Sequence, residues 1–91
     1  MPNILVIDDD ESLRDTIGIM LEQEGYSPIL VSDGKTGYER ALAVKPDLMI
    51  VDLRLPGMSG IEICKQLRAA SFKTPIIVLS AVGEEVDKVL L

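Results

Sequence analysis

Four side chains able to do chemistry stand directly behind short apolar runs. Asp8 and Asp9 follow Ile4-Leu5-Val6-Ile7, Asp52 follows Leu48-Met49-Ile50-Val51, and Ser80 follows Ile76-Ile77-Val78-Leu79. Unbroken apolar runs of this length read as strands buried on both faces, as in a parallel sheet covered by helices. Parallel strands put all their carboxyl ends on one edge, where open α/β sheets bind ligands. If the three strands are neighbours, Asp8, Asp9, Asp52 and Ser80 gather there. Carboxylates so close repel one another unless something positive sits between them. A hard divalent cation with oxygen ligands meets that need, and Mg²⁺ suits a few carboxylates and several retained waters. A carboxylate beside such an ion is also a nucleophile toward phosphorus, forming an acyl phosphate. The ion offsets charge developing in the transfer, and Ser80 can donate a hydrogen bond to a phosphoryl oxygen.

Other chemistries are excluded. The 91 residues include no histidine, which removes imidazole bases, Ser-His or Cys-His pairs and His-ligated zinc. Gly57 and Gly60 form no phosphate loop, since neither G-x-G-x-x-G nor G-x-x-x-x-G-K-[ST] occurs. With 15 acidic against 9 basic residues the net charge is −6, the wrong sign for direct nucleic-acid binding. Cys64 is the one cysteine and cannot form an internal disulfide, which suits a reducing compartment. Met1-Pro2-Asn3 offers no basic segment ahead of the first apolar run, and no run reaches membrane-spanning length. A cytoplasmic chain without a membrane partner is expected.

The elements that must position these residues alternate along the chain. After the first strand, Leu13, Ile17, Met20 and Leu21 recur at helical spacing, with Asp10 or Ser12 as the cap and Gly25 as the stop. Ile29-Leu30-Val31 is a shorter strand suited to a sheet edge. Asp33-Gly34 turns the chain into a helix with Tyr38, Ala41 and Leu42 on one face, ended by Pro46. After Asp52, Pro56-Gly57 predicts a type II turn, and Ile61, Cys64 and Leu67 mark a third helix with Cys64 in the core. Glu84 and Glu85 suit the first turn of a fourth helix, with Val86, Val89 and Leu90 on its apolar side. Four strand–helix units in succession predict a single doubly wound α/β domain with right-handed crossovers.

Taken together, Ile4 to Asp9, Asp47 to Gly60 and Thr74 to Ala81 resemble the receiver domain of bacterial two-component response regulators. The shared features are an acid pair after strand 1, Asp-x-x-x-Pro-Gly-x-x-Gly after strand 3 and Ser-Ala after strand 4. The resemblance implies a flavodoxin-like strand order 2-1-3-4-5. It also implies that Asp52 accepts a phosphoryl group from a histidine on a sensor kinase or phosphotransfer partner. Asp9 then resembles the direct Mg²⁺ ligand and Asp8 its companion through water, with Arg54 contributing its backbone carbonyl. Ser80 resembles the switch hydroxyl, and Ala81 the small residue that leaves the site open.

The family pattern continues into a fifth strand, a fifth helix and a lysine that pairs with the phosphoryl group. No lysine here takes that place, because Lys73 precedes strand 4 and Lys88 lies in the predicted last helix. Residues 1–91 are therefore expected to be a C-terminally shortened receiver without an effector domain. Self-association through the uncovered strand-4 edge or the last helix is the expected consequence. Two other classes compete. Asp8-x-Asp10 matches the core of Mg²⁺-dependent phosphohydrolases of the haloacid dehalogenase type, although Ser12 replaces their usual Thr or Val and Asp52 is left unexplained. A receiver that acts only as a non-catalytic interaction module keeps the fold and loses the chemistry.

Overall fold

The computed structural model describes residues 1–82 and 85–90, with residues 80–82 and 85–90 described by backbone alone. The order is β1 (Asn3–Ile7), α1 (Glu11–Gln23), β2 (Ser27–Val31), α2 (Gly34–Val44), β3 (Leu48–Asp52), α3 (Gly60–Ala69), β4 (Ile76–Val82) and β5 (Glu85–Leu90). They form one sheet in the order β2-β1-β3-β4-β5. The first four strands run parallel, and β5 runs antiparallel to β4.

Local chemistry sets the helix boundaries. Asp10, Asp33 and Ser59 cap α1, α2 and α3, accepting bonds from the backbone N–H of Leu13, Thr36 and Glu62. Such caps satisfy donors that the first helical turn leaves free. Asp10, rather than Ser12, is thus the cap of α1. At its far end Gly25 adopts a φ of 88°, with Gly25 N–H bonded to Glu22 C=O and Tyr26 N–H to Leu21 C=O. This pair of bonds is a Schellman stop, for which glycine is the usual residue. α3 ends in the same pair of bonds, from Ser71 to Arg68 and from Phe72 to Leu67, but with Ser71 at a φ of 63°.

Alternation along the strands divides the sheet into two faces. Leu5, Ile7, Met49, Val51, Ile76 and Val78 are buried against Ala41 of α2 and Ile63, Cys64 and Leu67 of α3. α1 lies on the opposite face, over β1 and β2, where Ile4 and Val6 are buried. A helix with its side chains is about 10–12 Å across, against about 4.8 Å between strands, so one helix covers roughly two strands. Beyond that cover, Ile50, Ile77 and Leu79 are only half-buried. With Ile17, Met20 and Leu21 they line an apolar groove of about 300 Å³.

The C-terminal segment departs from the helix expected there. Glu85–Leu90 pairs with β4 in the register Val82↔Glu85 through Ile77↔Leu90. An unpaired edge of β4 offers a row of N–H and C=O groups, and a neighbouring strand satisfies them. Only two residues separate β4 from β5 in sequence, whereas a parallel partner needs a crossover of roughly a dozen residues. The pairing is therefore antiparallel. Glu84 and Leu91 lie outside the described residues. The same ladder corrects the expected route to self-association: β4 has no uncovered edge, and the last segment is not a helix.

Candidate functional site

The parallel register brings the acids together. Ile7 pairs with Val51 between β1 and β3, so Asp8 and Asp52 leave the sheet side by side. Asp8 N–H continues the β1–β2 ladder to Val31 C=O at 3.0 Å. Asp52 is fixed from the next residue, since Leu53 N–H bonds Leu79 C=O at 2.8 Å and Leu53 C=O accepts from Gly60 N–H at 2.9 Å. α3 begins so close to this strand end that a Cβ on Gly60 would stand 2.5 Å from the Asp52 carbonyl oxygen. Glycine is required there by close approach. Gly57 takes the positive φ, 78°, that the Pro-Gly turn predicts.

One oxygen each from Asp8, Asp9 and Asp52 lies within 4.8 Å of the others. Asp8 is 2% exposed; its Oδ1 accepts from Asp10 N–H at 2.9 Å, while its Oδ2 is buried without a partner. Asp52 is half-buried, and its Oδ1 accepts a long bond of 3.4 Å from Arg54 N–H. Burial pushes the Asp8 carboxyl above its ordinary value; the Asp10 N–H bond opposes this, and the charges of Asp52, Asp9 and Asp10 add to it. Burial also raises Asp52, opposed by the Arg54 N–H and reinforced by the charge of Asp9. Three clustered carboxylates, one of them with a buried oxygen that has no partner, are what an oxygen-seeking hard cation satisfies, so the donor set fits such an ion.

Asp10 stands apart from the cluster. It is exposed, and its carboxylate is engaged with Leu13 N–H at 3.1 Å as the α1 cap, which counts against the phosphohydrolase reading of Asp8-x-Asp10. Ser80 follows Leu79, the register partner of Asp52, and so stands at the same edge of the sheet; the side chains of Ser80 and Ala81 lie outside the described residues. Cys64 is buried as expected. Arg14 went unnoticed in the sequence, although a base one turn into the helix behind an acid pair can reach back over it. Its Nη1 donates to the Asp8 carbonyl at 2.9 Å.

A doubly wound sheet in this strand order, with carboxylates converging at its carboxyl edge, defines the receiver class of signalling domain. The family model for the response regulator receiver domain matches residues 4–90, and the chain belongs to that family. It is 47% identical over 87 residues to the alkaline phosphatase synthesis transcriptional regulatory protein PhoP of Bacillus subtilis, covering 96% of this chain and 36% of that protein. The sensory transduction protein RegX3 of Mycobacterium tuberculosis is 40% identical over 90 residues, covering 99% of this chain and 39% of that one. The receiver domain of Francisella response regulator 1452 superposes with a TM-score of 0.88 at 31% identity, over 91% of this chain and 69% of that one. The chain thus spans well under half the length of these curated relatives. It is a receiver domain of the two-component response-regulator type, a signalling domain. Among the described residues, no helix is long and apolar enough to cross a membrane.

Proposed function

We propose that Asp52 is the phosphoacceptor and that residues 1–91 act as one receiver unit. An Asp52 carboxylate oxygen attacks the phosphorus of a phosphohistidine on a sensor kinase or phosphotransfer protein. The P–O bond forms as the P–N bond breaks, the histidine nitrogen keeps the electron pair and takes a proton, and an acyl phosphate remains on Asp52. Asp8, Asp9, Asp52 and the Arg54 carbonyl would hold Mg²⁺, which when bound would supply positive charge against the carboxylates and the phosphoryl oxygens. Burial leaves the Asp52 carboxylate weakly solvated and so more nucleophilic. Ser80 donates to a phosphoryl oxygen, and Ala81 leaves the approach open. The absence of any histidine in the chain agrees with a donor on another protein, and its acidic balance favours a protein partner over nucleic acid. The reaction belongs in the cytoplasm.

The observation that supports this most is the convergence of three carboxylates, one of which, Asp8, keeps a buried Oδ2 without a partner. Intact mass after incubation with Mg²⁺ and acetyl phosphate tests it. One phosphoryl adduct in the wild type and none in Asp52→Asn is the expected result. A folded, Mg²⁺-binding chain without an adduct would leave a receiver scaffold lacking the chemistry.

A further inference from the structure

Between the acid pair and the body of α1 stands a base with an unexpected target. Arg14 is half-buried, and its backbone N–H makes the first bond of the helix, to Asp10 C=O at 2.9 Å. Helical side chains lean toward the N-terminus, and the guanidinium follows that path back over the turn. Asp8 and Asp9 stand just ahead of that turn, yet the guanidinium bond goes to neither carboxylate. Nη1 bonds the Asp8 carbonyl instead, leaving Asp8 Oδ1 to Asp10 N–H and Oδ2 unpartnered.

The distinction has consequences. A guanidinium paired with a carboxylate neutralises it and competes with any cation for its oxygens. A guanidinium on the backbone carbonyl between two carboxylates fixes their directions and leaves their charge available. Outer groups that orient ligand-bearing residues in this way typically change metal affinity or activity by about 10–100-fold when removed.

We infer that Arg14 is a positioning residue for the acidic site: by holding the Asp8 carbonyl it fixes the Asp8–Asp9 turn, so that both carboxylates converge with Asp52 without being neutralised. This rests on the proposed reading of that site as a cation-assisted phosphoacceptor.

Two substitutions separate the donor from the bulk. Arg14→Met keeps most of the stem and removes the donor; Arg14→Lys keeps a charged donor. With Mg²⁺ as the titrant, Arg14→Met is expected to bind about tenfold more weakly than wild type, with Arg14→Lys recovering most of the loss. Acetyl phosphate labelling at saturating Mg²⁺ should fall far less than labelling at limiting Mg²⁺. In the metal-free protein, amide exchange reads the same turn directly: Asp10 N–H loses protection in Arg14→Met and keeps it in Arg14→Lys. Equal Mg²⁺ affinity and equal Asp10 protection in all three proteins would overturn the inference, as would equal losses in both variants. A wild type that binds no Mg²⁺ would instead remove the functional reading, while Asp10 exchange would still decide whether Arg14 holds the turn.

Discussion

The two faces of the sheet are built from the same strands and finished to different standards. On one side α2 and α3 lie together over β1, β3 and β4, and Met49, Val51, Ile76 and Val78 are shut off from solvent. On the other, α1 is the one helix among the described residues that covers β1 and β2, and Ile50, Ile77 and Leu79 look out over a groove. Met20 and Ile19 of α1 remain 60% and 56% exposed. The strands do not explain the difference, since each alternates apolar side chains to both faces. The number of helices delivered to each face does. The closed face meets the acidic site through the start of α3 at Gly60, and the helix of the open face meets it through its Asp10 cap and Arg14.

The comparison predicts unequal costs for similar truncations. Leu67→Ala on the closed face should destabilise by about 3 kcal/mol, within the 2–5 kcal/mol usual for core leucines. Met20→Ala on the open face should stay within about 0.5 kcal/mol. Urea melts of both variants would erase the distinction if the two costs were similar.

Glycine-to-alanine changes sharpen it further, because here the signs should differ. A Cβ on Gly37 of α2 would collide with the Ile7 side chain, so Gly37→Ala should cost about 1–3 kcal/mol through overpacking. A Cβ on Gly18 of α1 would meet only the half-exposed end of Leu30, nearest atom 3.1 Å. Leu30 can give way, so Gly18→Ala should gain up to about 1 kcal/mol of helix propensity. Thermal midpoints moving in the same direction for both would show α1 to be packed as tightly as α2.

The acids stand on the rim where the faces meet. Asp8 and Asp52 are both held above their ordinary value of 3.8. Below that pH both folded and unfolded chains keep these protons, and neither group costs stability. As pH rises through 3.8 and on through the higher folded values, the unfolded chain releases its protons first, and stability falls. The exposed Asp33 cap, whose value is lowered by the Thr36 N–H, acts in the opposite sense: its contribution is present above 3.8 and is lost in stronger acid. In metal-free buffer at pH 7, Asp52→Asn should therefore raise the thermal midpoint. Mg²⁺ should raise the wild type by binding the folded state, and Asp9→Ala should abolish that rise. A midpoint unchanged by Asp52→Asn and by Mg²⁺ would mean that the cluster carries no strain.

The smallest effects lie at the helix ends. The two Schellman stops differ in one residue, glycine at position 25 after α1 and serine at position 71 after α3. Ser71→Gly should stabilise by roughly 0.5–1 kcal/mol and Gly25→Ser should cost about as much, because only glycine takes a positive φ without a steric penalty. Chemical denaturation resolves shifts of this size.

Much of this is legible in the residues alone. Three apolar runs ending in Asp8, Asp52 and Ser80 announced parallel strands, and Asp10, Gly25, Asp33 and Pro56-Gly57 marked turns and helix ends through chemistry that acts within a few residues. The last segment misled because Val86, Val89 and Leu90 suit either a helix or a strand. The choice falls to a free edge on β4, a tertiary fact. The half-burial of Ile77 and Leu79 was equally hidden: an apolar run predicts cover on both sides, but cover depends on where helices land. The orphaned Oδ2 of Asp8 and the reach of Arg14 depend on ångström-scale geometry that residue spacing does not encode.

β1 occupies the middle of the parallel set, between β2 and β3, although it is made first. Its ladder to β2 closes across α1 and its ladder to β3 across α1, β2 and α2, whereas β4 and β5 are neighbours in the chain and can pair within microseconds. During synthesis Ile4 to Ile7 must therefore wait for residues 27–31 before one edge can pair, and for residues 48–51 before the other can. Strands left waiting in this way are prone to aggregate. The strand that carries Asp8 into the site is thus the one most in need of protection while the chain is being made.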